Sequence, residues 1–281
     1  MSLRIDRQAL YRATHRPLAP ISARFRTLAF RRGRDETDAF ARRSALVLAP
    51  HPDDETLGCG VTILRKRALG TRVRVAIATD GRGHGHSRVI SPDEVAALRR
   101  REALAACAQL GVNASDLLFL GFEDGHLEDS AGQLYDRIRD IIRAEPPQEI
   151  LVPSLADRHP DHRALSEAVH RLIREGEIEC AVYEYPIWYW DRYPWTHQPK
   201  GLTDALWHFL SDPILACLGE PPALVRTEGL VERKRSAIQA YRTQSENLTG
   251  EPTWWTFPNG FIETFLGSHE IFFPIHKPTP A

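Results

Sequence analysis

Short apolar runs alternate with longer segments of helical character over most of the chain, beginning at residue 45. The apolar runs predict five strands, at residues 45–49, 72–79, 117–120, 149–153 and 181–185. The segments between them predict helices at 56–69, 92–110, 134–143 and 163–175, and a further helix follows at 228–244. Repeated strand–helix units with short connections predict a single α/β domain, with a Rossmann-like, mostly parallel sheet covered by helices on both faces.

The sequence identifies the first residue of one helix. Ser91-Pro-Asp-Glu94 supplies a hydroxyl cap, a proline at the first helical position and a glutamate three residues after the cap. This combination predicts a helix that begins at Pro92 and stops at Gly111, a natural C-cap residue.

Two regions fall outside the strand–helix repeat. Residues 1–43 hold eleven arginines against four acidic residues, which predicts a basic N-terminal extension ahead of a domain at 44–281. The extension could be solvated, or it could contact anionic lipid or a partner subunit, so peripheral membrane contact and oligomerisation both stay open. Within the domain, an insert at about 186–224 is rich in aromatic and apolar residues. It could line an acceptor groove, cap the sheet or form a dimer face.

Bulk composition narrows the class of protein. Of 281 residues, 42% are hydrophobic and 26% are charged, as in globular proteins with a substantial core. The net charge of −1 gives no support for nucleic-acid binding. No apolar run reaches the roughly 18 residues of a spanning helix, and the four cysteines form no C-x-x-C pair. We therefore expect a cytoplasmic protein without a transmembrane segment.

Polar loops follow four of the predicted strands, at residues 51–55, 80–88, 123–126 and 157–162. Ligands bind beyond the carboxyl ends of parallel strands, so these loops should converge on one edge of the sheet. The first loop contains His51 and Asp54, and the last contains His159 and His162. Two imidazoles and one carboxylate from these loops would form the donor set that Zn²⁺ takes in catalytic sites.

Each motif also has a simpler interpretation. His51-x-x-Asp54 alone is typical of a capped turn with solvated acids, but a second histidine-rich loop after another strand makes a metal site the better hypothesis. Gly58 and Gly60 suggest a dinucleotide-binding loop. However, eight residues separate Gly58 from the strand, and Ile63 stands where the third glycine is required. Small residues that let a helix pack close to the sheet explain both glycines.

The histidine motifs resemble those of a known enzyme family. Pro50-His-Pro-Asp-Asp-Glu55, joined by the later His159-Pro-Asp-His162, is similar to the LmbE-like, or PIG-L, zinc-dependent de-N-acetylases. That family includes enzymes that deacetylate N-acetylglucosaminyl-phosphatidylinositol and the mycothiol precursor. The likeness covers about residues 45–245, with shorter matches at Leu57-Gly-Cys-Gly60, Thr79-Asp-Gly-Arg-Gly83, Phe119-Leu-Gly121, Asp124-Gly125 and Tyr241-x-x-Gln244.

The resemblance implies a metal-dependent mechanism. It assigns Zn²⁺ to His51, Asp54 and His162 and the general base to Asp53, in agreement with the donor set described above. Side chains of adjacent residues in an extended turn point in different directions. Asp54 can therefore bind the metal while Asp53 faces the water. Iron or cobalt could occupy the same ligands.

Other polar residues of the same loops have expected roles in this mechanism. His159 would polarise the acetyl carbonyl and stabilise the oxyanion, with Asp161 orienting and charging its imidazole. Our candidates for binding sugar hydroxyls or a phosphate are Arg82, Arg88 and Asp124. Two further histidines lie in the same loop as the arginines, His84 and His86.

The resemblance implies hydrolysis of an N-acetyl group from an N-acetylglucosamine-type amino sugar. The substrate would be a small molecule or a lipid-linked sugar: a glycoside, a glycolipid or a sugar nucleotide derivative. Two other classes stay open. One is a sugar-binding member of the same fold without turnover, which an acetate-release assay would distinguish from the enzyme. The other is a non-haem Fe(II) site, although such sites usually sit on all-β barrels.

Overall fold

The computed structural model describes residues 19–83, 87–157, 159–195, 202–258 and 260–275. Within these ranges, one eight-stranded sheet forms the centre of the molecule. Its strands are β1 (Arg34–Asp35), β2 (Ala45–Ala49), β3 (Val73–Thr79), β4 (Leu117–Phe122), β5 (Glu149–Pro153), β6 (Ala181–Tyr185), β7 (Ala223–Arg226) and β8 (His269–Pro274). The five predicted strands are β2 to β6, and the predicted α/β class with a mostly parallel sheet is confirmed.

The order of the strands brings two distant loops together. The sheet runs β1-β7-β8-β6-β5-β2-β3-β4, with β8 antiparallel to β6 and β7 and the other pairs parallel. The chain proceeds outward from β2 to β4 and then returns to place β5 on the other side of β2. The strand order therefore reverses between β2 and β5, and such a reversal leaves a crevice where ligands bind.

Helices cover both faces of the sheet. Alternate side chains of each strand enter different cores: Val47 packs in the core beneath α3 and α4, and Leu48 in the core beneath α5 and α6. No helix in the described ranges is long and apolar enough to cross a bilayer. The helices are α1 (Ala19–Arg32), α2 (Thr37–Arg42), α3 (Asp54–Ala68), α4 (Pro92–Gln109), α5 (Ala131–Ala144), α6 (Pro160–Arg174), α7 (Trp188–Arg192), α8 (Leu202–Leu218), α9 (Val231–Gln239) and α10 (Arg242–Ser245), with 3₁₀ turns at Ala114–Asp116, Glu128–Ser130 and Ile262–Phe265.

Helix α4 begins where its capping motif predicts. The N–H of Glu94 donates to Ser91 Oγ (3.3 Å), and the N–H of Ser91 donates to the Glu94 carboxylate (2.8 Å). The predicted helix at 228–244 is wrong in one respect, because the chain divides there into α9 and α10. Tyr241 lies at the break, where its hydroxyl turns inward and donates to the buried carboxylate of Glu55. This tertiary contact overrides the helical periodicity of the segment.

The described part of the N-terminal region packs on the domain. Residues 34–35 form β1, which pairs with β7, and α1 contacts α7 through Phe30 and Trp190 (ring centroids 5.5 Å apart). The insert predicted at about 186–224 contains α7 and α8. The boundary between an extension and a domain at residue 44 stays a prediction.

Gly58 sets how closely α3 approaches the sheet. A Cβ atom at Gly58 would lie 2.3 Å from Cδ2 of Tyr185, whose hydroxyl donates to the carbonyl of Leu48 (2.7 Å). We expect Gly58→Ala to destabilise the protein by roughly 1–3 kcal/mol, because overpacking displaces a buried ring. Gly132→Ala is the control, since a Cβ at this helical glycine meets nothing within 4 Å. Urea unfolding compares the two variants, and equal stability would contradict the close approach.

Candidate metal centre

The three predicted metal ligands lie together where the strand order reverses. His51 follows β2, Asp54 opens α3, and His162 lies in the first turn of α6. The Oδ2 atom of Asp54 is 3.1 Å from Nδ1 of His51 and 3.3 Å from Nε2 of His162. All three residues are buried. The structure therefore joins two loops that are far apart in the chain into one site.

The imidazole of His162 is oriented as a metal ligand would be. Its Nδ1 is 2.9 Å from the carboxylate of Asp157, which also accepts the N–H groups of Ile187 (3.2 Å) and Tyr189 (2.6 Å). With the proton on Nδ1, the lone pair of Nε2 faces Asp54. This Nε2 atom is buried and has no hydrogen-bond partner among the described residues. A carboxylate behind a ligating histidine commonly fixes its tautomer, so the residues present fit a divalent cation.

Carboxylates surround the two predicted histidine ligands, His51 and His162. Burial lowers the pKa of His162, but the carboxylate of Asp54 and further acidic contacts raise it to about 9. Burial also opposes protonation of His51, yet its hydrogen bonds to the carboxylates of Asp124, Asp161 and Asp54 raise its pKa well above the usual value. The charges that favour a proton on these nitrogens favour a cation in the same place.

A second set of possible ligands lies on the other side of His51. The Nε2 atom of His51 is 3.1 Å from Oδ2 of Asp161 and 3.3 Å from Oδ1 of Asp124. The ligand atoms of these three residues lie within 4.8 Å of one another, as do those of His51, His159 and His162. Asp124, which the sequence analysis assigned to sugar binding, thus lies directly beside a candidate metal ligand.

Asp53 and Asp54 contact different partners, as their adjacency predicts. Asp53 has a backbone φ of 131°, which residues other than glycine rarely adopt. Its carboxylate accepts a hydrogen bond from Nη2 of the buried Arg99 (2.9 Å), and its N–H donates to Glu55 (3.1 Å). Burial raises the pKa of Asp53 well above the usual value, although the charge of Arg99 lowers it. A buried carboxylate with a raised pKa beside a histidine cluster has the properties of a general base.

His159 is an uncharged imidazole at the start of α6. Its ring centroid is 4.6 Å from that of His51 and 5.1 Å from that of His162. Burial and the two neighbouring imidazoles lower the pKa of His159 to about 3. Its Nδ1 accepts the backbone N–H of Asp161 (3.3 Å), so the proton of the neutral ring is on Nε2. The Nε2 atom is therefore a hydrogen-bond donor without a positive charge.

The structure corrects the predicted contact between Asp161 and His159. The Asp161 carboxylate accepts the N–H groups of Gly125 (2.7 Å) and Leu127 (3.1 Å), and it approaches His51. The backbone of Asp161, not its side chain, contacts His159. The reason is its position as the second residue of α6, from which the side chain turns toward the backbone of loop 123–127. The charge of Asp161 does raise the pKa of His159, but burial and the two neighbouring imidazoles outweigh it.

The two arginines predicted to bind substrate lie in the loop after β3 and contact other acids. Nε of Arg82 is 2.6 Å from Oδ2 of Asp80, and the backbone N–H of Arg88 donates to Glu251 (2.9 Å). Among the described contacts, neither side chain joins the cluster around His51. Two histidines of this loop lie outside the described residues, His84 and His86.

Three residues that contact the site were not predicted from the sequence. Arg99 lies in a run of three arginines, a pattern typical of a solvated helix face, yet it is buried against Asp53. Asp157 precedes His159 by two residues and could have been found as an acid in the same loop. Tyr241 belonged to the family pattern, but nothing in its spacing indicated that it would contact Glu55.

The fold and the buried cluster define an α/β protein with a histidine–carboxylate centre at the carboxyl edge of its sheet. A family model described as "PIG-L: GlcNAc-PI de-N-acetylase" matches residues 46–173. The chain belongs to this PIG-L, or LmbE-like, family of deacetylases.

Individual relatives agree with this family. A Bacillus cereus (strain ATCC 14579) protein named "Probable N-acetyl-alpha-D-glucosaminyl L-malate deacetylase 2" is 30% identical over 212 residues, covering 73% of this chain and 86% of that protein. The N,N'-diacetylchitobiose deacetylase from Pyrococcus horikoshii shares the fold with a TM-score of 0.60, 21% identity and coverage of 86% of this chain and 87% of that one. The hydratase GalB from Pseudomonas putida KT2440 also shares it, with a TM-score of 0.56, 19% identity and coverage of 85% and 98%. The fold alone therefore does not determine the reaction.

Proposed function

We propose that this protein removes the N-acetyl group from an N-acetylglucosamine-type amino sugar by metal-dependent hydrolysis. The observation that carries the proposal is the buried Nε2 of His162, which Asp157 orients toward Asp54. Zn²⁺ is the proposed cation, held by His51, Asp54 and His162, because two imidazoles and a carboxylate suit it. Iron or cobalt could use the same ligands. When bound, the metal would act as a Lewis acid toward a water molecule and the acetyl carbonyl.

Asp53 is the proposed general base. Its carboxylate accepts the proton of the attacking water, and its raised pKa favours that transfer. Arg99 acts as a positioning residue, since it holds one oxygen of Asp53 at 2.9 Å. Asp53 or His159 then supplies the proton that the leaving amine needs.

His159 is the proposed donor to the acetyl oxygen. With Nδ1 accepting a backbone N–H, its Nε2–H can donate as negative charge develops on that oxygen. The Asp161 carboxylate contacts His51 and the backbone of loop 123–127. These contacts, and not the ring of His159, hold it in the site.

The group that is attached to the amino sugar is proposed only as a chemical class. The relatives act, by their names, on an N-acetylglucosaminyl malate and on diacetylchitobiose, so an acetamido sugar is the shared element and the attached group varies. A small-molecule or lipid-linked substrate fits this pattern. Asp124, Arg82 and Arg88 stay candidates for contacts with sugar hydroxyls or a phosphate.

Acetate release from a substrate panel tests the proposal. The panel contains an N-acetylglucosaminyl glycoside, diacetylchitobiose, an N-acetylglucosaminyl phospholipid and, as a non-sugar amide, N-acetyl-lysine. We expect acetate from at least one amino sugar and none from N-acetyl-lysine. Chelation should abolish release, and added Zn²⁺ should restore it, because the metal is proposed to activate the attacking water.

Contrary outcomes would distinguish the alternatives. Sugar binding without acetate release, after metal loading, would favour a binding protein of the same fold. Release that survives complete removal of metal would exclude the metal-dependent mechanism.

A further inference from the structure

Aromatic side chains from two distant parts of the chain pack together. Trp188 of α7 stacks on Phe261, with ring centroids 4.5 Å apart and planes inclined by 25°. Trp255 lies 6.0 Å from Trp188 and meets Phe257 edge-on at 5.5 Å. Phe257 in turn stacks on Phe261 (5.2 Å). Phe261 is buried, whereas the other three residues are half-buried. We refer to these residues as the aromatic cluster: Trp188, Trp255, Phe257 and Phe261.

One side of the aromatic cluster is joined to the carboxylate behind His162. Trp188 lies between Ile187 and Tyr189 in the chain. The N–H groups of these two neighbours donate to the carboxylate of Asp157 (3.2 and 2.6 Å). The same carboxylate is 2.9 Å from Nδ1 of His162. The turn that carries Trp188 is therefore held directly against the candidate metal centre.

The other side of the aromatic cluster is joined to the turn after β2. The N–H of Phe257 donates to the carbonyl of Gln244 (2.8 Å), three residues after Tyr241. The Tyr241 hydroxyl donates to the carboxylate of Glu55, which also accepts the N–H of Asp53 (3.1 Å). The aromatic cluster is thus connected to both loops that build the candidate metal centre, and it lies at the same edge of the sheet.

Hydrogen-bonding groups border the aromatic cluster. Glu251, four residues before Trp255, accepts the N–H of Arg88 (2.9 Å) and the hydroxyl of Ser87. Its carbonyl accepts the side-chain amide of Asn247 (3.0 Å). These contacts hold the segment 247–257 against the loop after β3, which opens at the carboxyl edge of the sheet. The region therefore combines flat apolar rings with a polar border.

We propose that the aromatic cluster is a subsite for a second pyranose ring, attached to the amino sugar that loses its acetyl group. This inference rests on the proposed function, because it names the group attached to the acetamido sugar. The faces of aromatic rings carry partial negative charge, which attracts the C–H groups on one face of a pyranose. The polar border can contact the hydroxyls at the edge of that ring. An attached carboxylate or phosphate would find no cation among the aromatic rings, so an uncharged sugar fits them better.

Calorimetry with the full chain tests this subsite. The parent protein carries Asp53→Asn and is loaded with Zn²⁺, so that binding is measured without turnover. We expect N,N'-diacetylchitobiose to bind roughly tenfold more tightly than methyl N-acetyl-β-D-glucosaminide, which lacks the second ring. Adding Trp255→Ala should remove most of this preference, and Trp255→Phe, which keeps an aromatic ring, should retain much of it. Trp207→Ala is the matched control and should change neither affinity, because this indole is 68% exposed on α8.

Several results would overturn the subsite. These are binding of neither sugar, equal affinity for both, or a preference for the disaccharide that survives Trp255→Ala. An equal, Trp255-dependent preference for octyl N-acetyl-β-D-glucosaminide would assign the aromatic cluster to an alkyl chain instead. Acetate release by the unmodified protein separates this inference from the proposed function. Release together with a preference that does not depend on Trp255 would remove only the subsite, whereas Trp255-dependent binding without release would remove only the hydrolysis.

Discussion

Asp53→Asn is expected to lower turnover by roughly 10²- to 10⁴-fold, the range that a general base contributes, while leaving the bound metal in place. The side chain of Asp53 is directed to Arg99, whereas Asp54 contacts the two histidines. The asparagine retains the shape of the side chain and an oxygen for Arg99, but it cannot accept a proton. Acetate release at saturating substrate, with metal content measured on the same sample, checks both parts of this prediction.

His51→Ala is the comparison that separates the base from the ligands. Its imidazole contacts Asp54 through one nitrogen and Asp161 through the other. Its removal should therefore lower metal affinity by more than the roughly 10- to 100-fold that is lost when a residue behind a ligand is changed. Excess Zn²⁺ should not restore activity to Asp53→Asn. If the two variants lose metal equally, Asp53 is a ligand rather than a base. If both keep metal and activity, the site assignment fails.

The strands and the cluster of His51, Asp54 and His162 could be predicted because their signals are local. Strand β2 is buried along its whole length, so its sequence is apolar without interruption. The residues that follow it carry His51 and Asp54 directly, and the rule that ligands bind at the carboxyl ends of parallel strands places His162 nearby. No tertiary information was needed for these steps.

Other features depend on contacts that periodicity does not encode. Arg99 is buried because it meets the backbone and carboxylate of the turn after β2, and its neighbours in sequence suggested a solvated surface. Strand β8 joins the sheet between β6 and β7 from the far end of the chain. Helix α8 is apolar but exposed, as Trp207 and Leu218 show. An apolar helix pattern alone does not distinguish a buried face from an exposed one.

A buried ion pair that contacts α3 is expected to contribute strongly to the stability of the protein. Lys234 on α9 contacts Glu270 on β8 at 2.8 Å, and both side chains are almost fully buried. The Glu270 carboxylate also accepts the N–H groups of Val61 and Thr62, each at 2.7 Å. One carboxylate thus connects the sheet, α9 and the helix whose first residue is Asp54.

Lys234→Met should destabilise the protein by about 3–5 kcal/mol, because it leaves Glu270 charged and buried without its cation. Methionine keeps the length of the lysine stem, so the loss of packing is small and the missing charge dominates. Replacing both partners, as Lys234→Met with Glu270→Gln, should recover part of the stability, since the neutral amide costs less to bury.

Arg242→Met is the matched control for the missing charge. Arg242 pairs with Glu246 at 2.9 Å, but both side chains are more than half exposed, with fractions of 62% and 51%. Exposed pairs of this kind contribute about 0–1 kcal/mol, because water solvates either charge after the other is removed. Urea unfolding of all three variants measures the contrast. If Lys234→Met costs no more than Arg242→Met, the Glu270 carboxylate does not need its cation, and the hydrogen bonds from Val61 and Thr62 are sufficient to hold it in place.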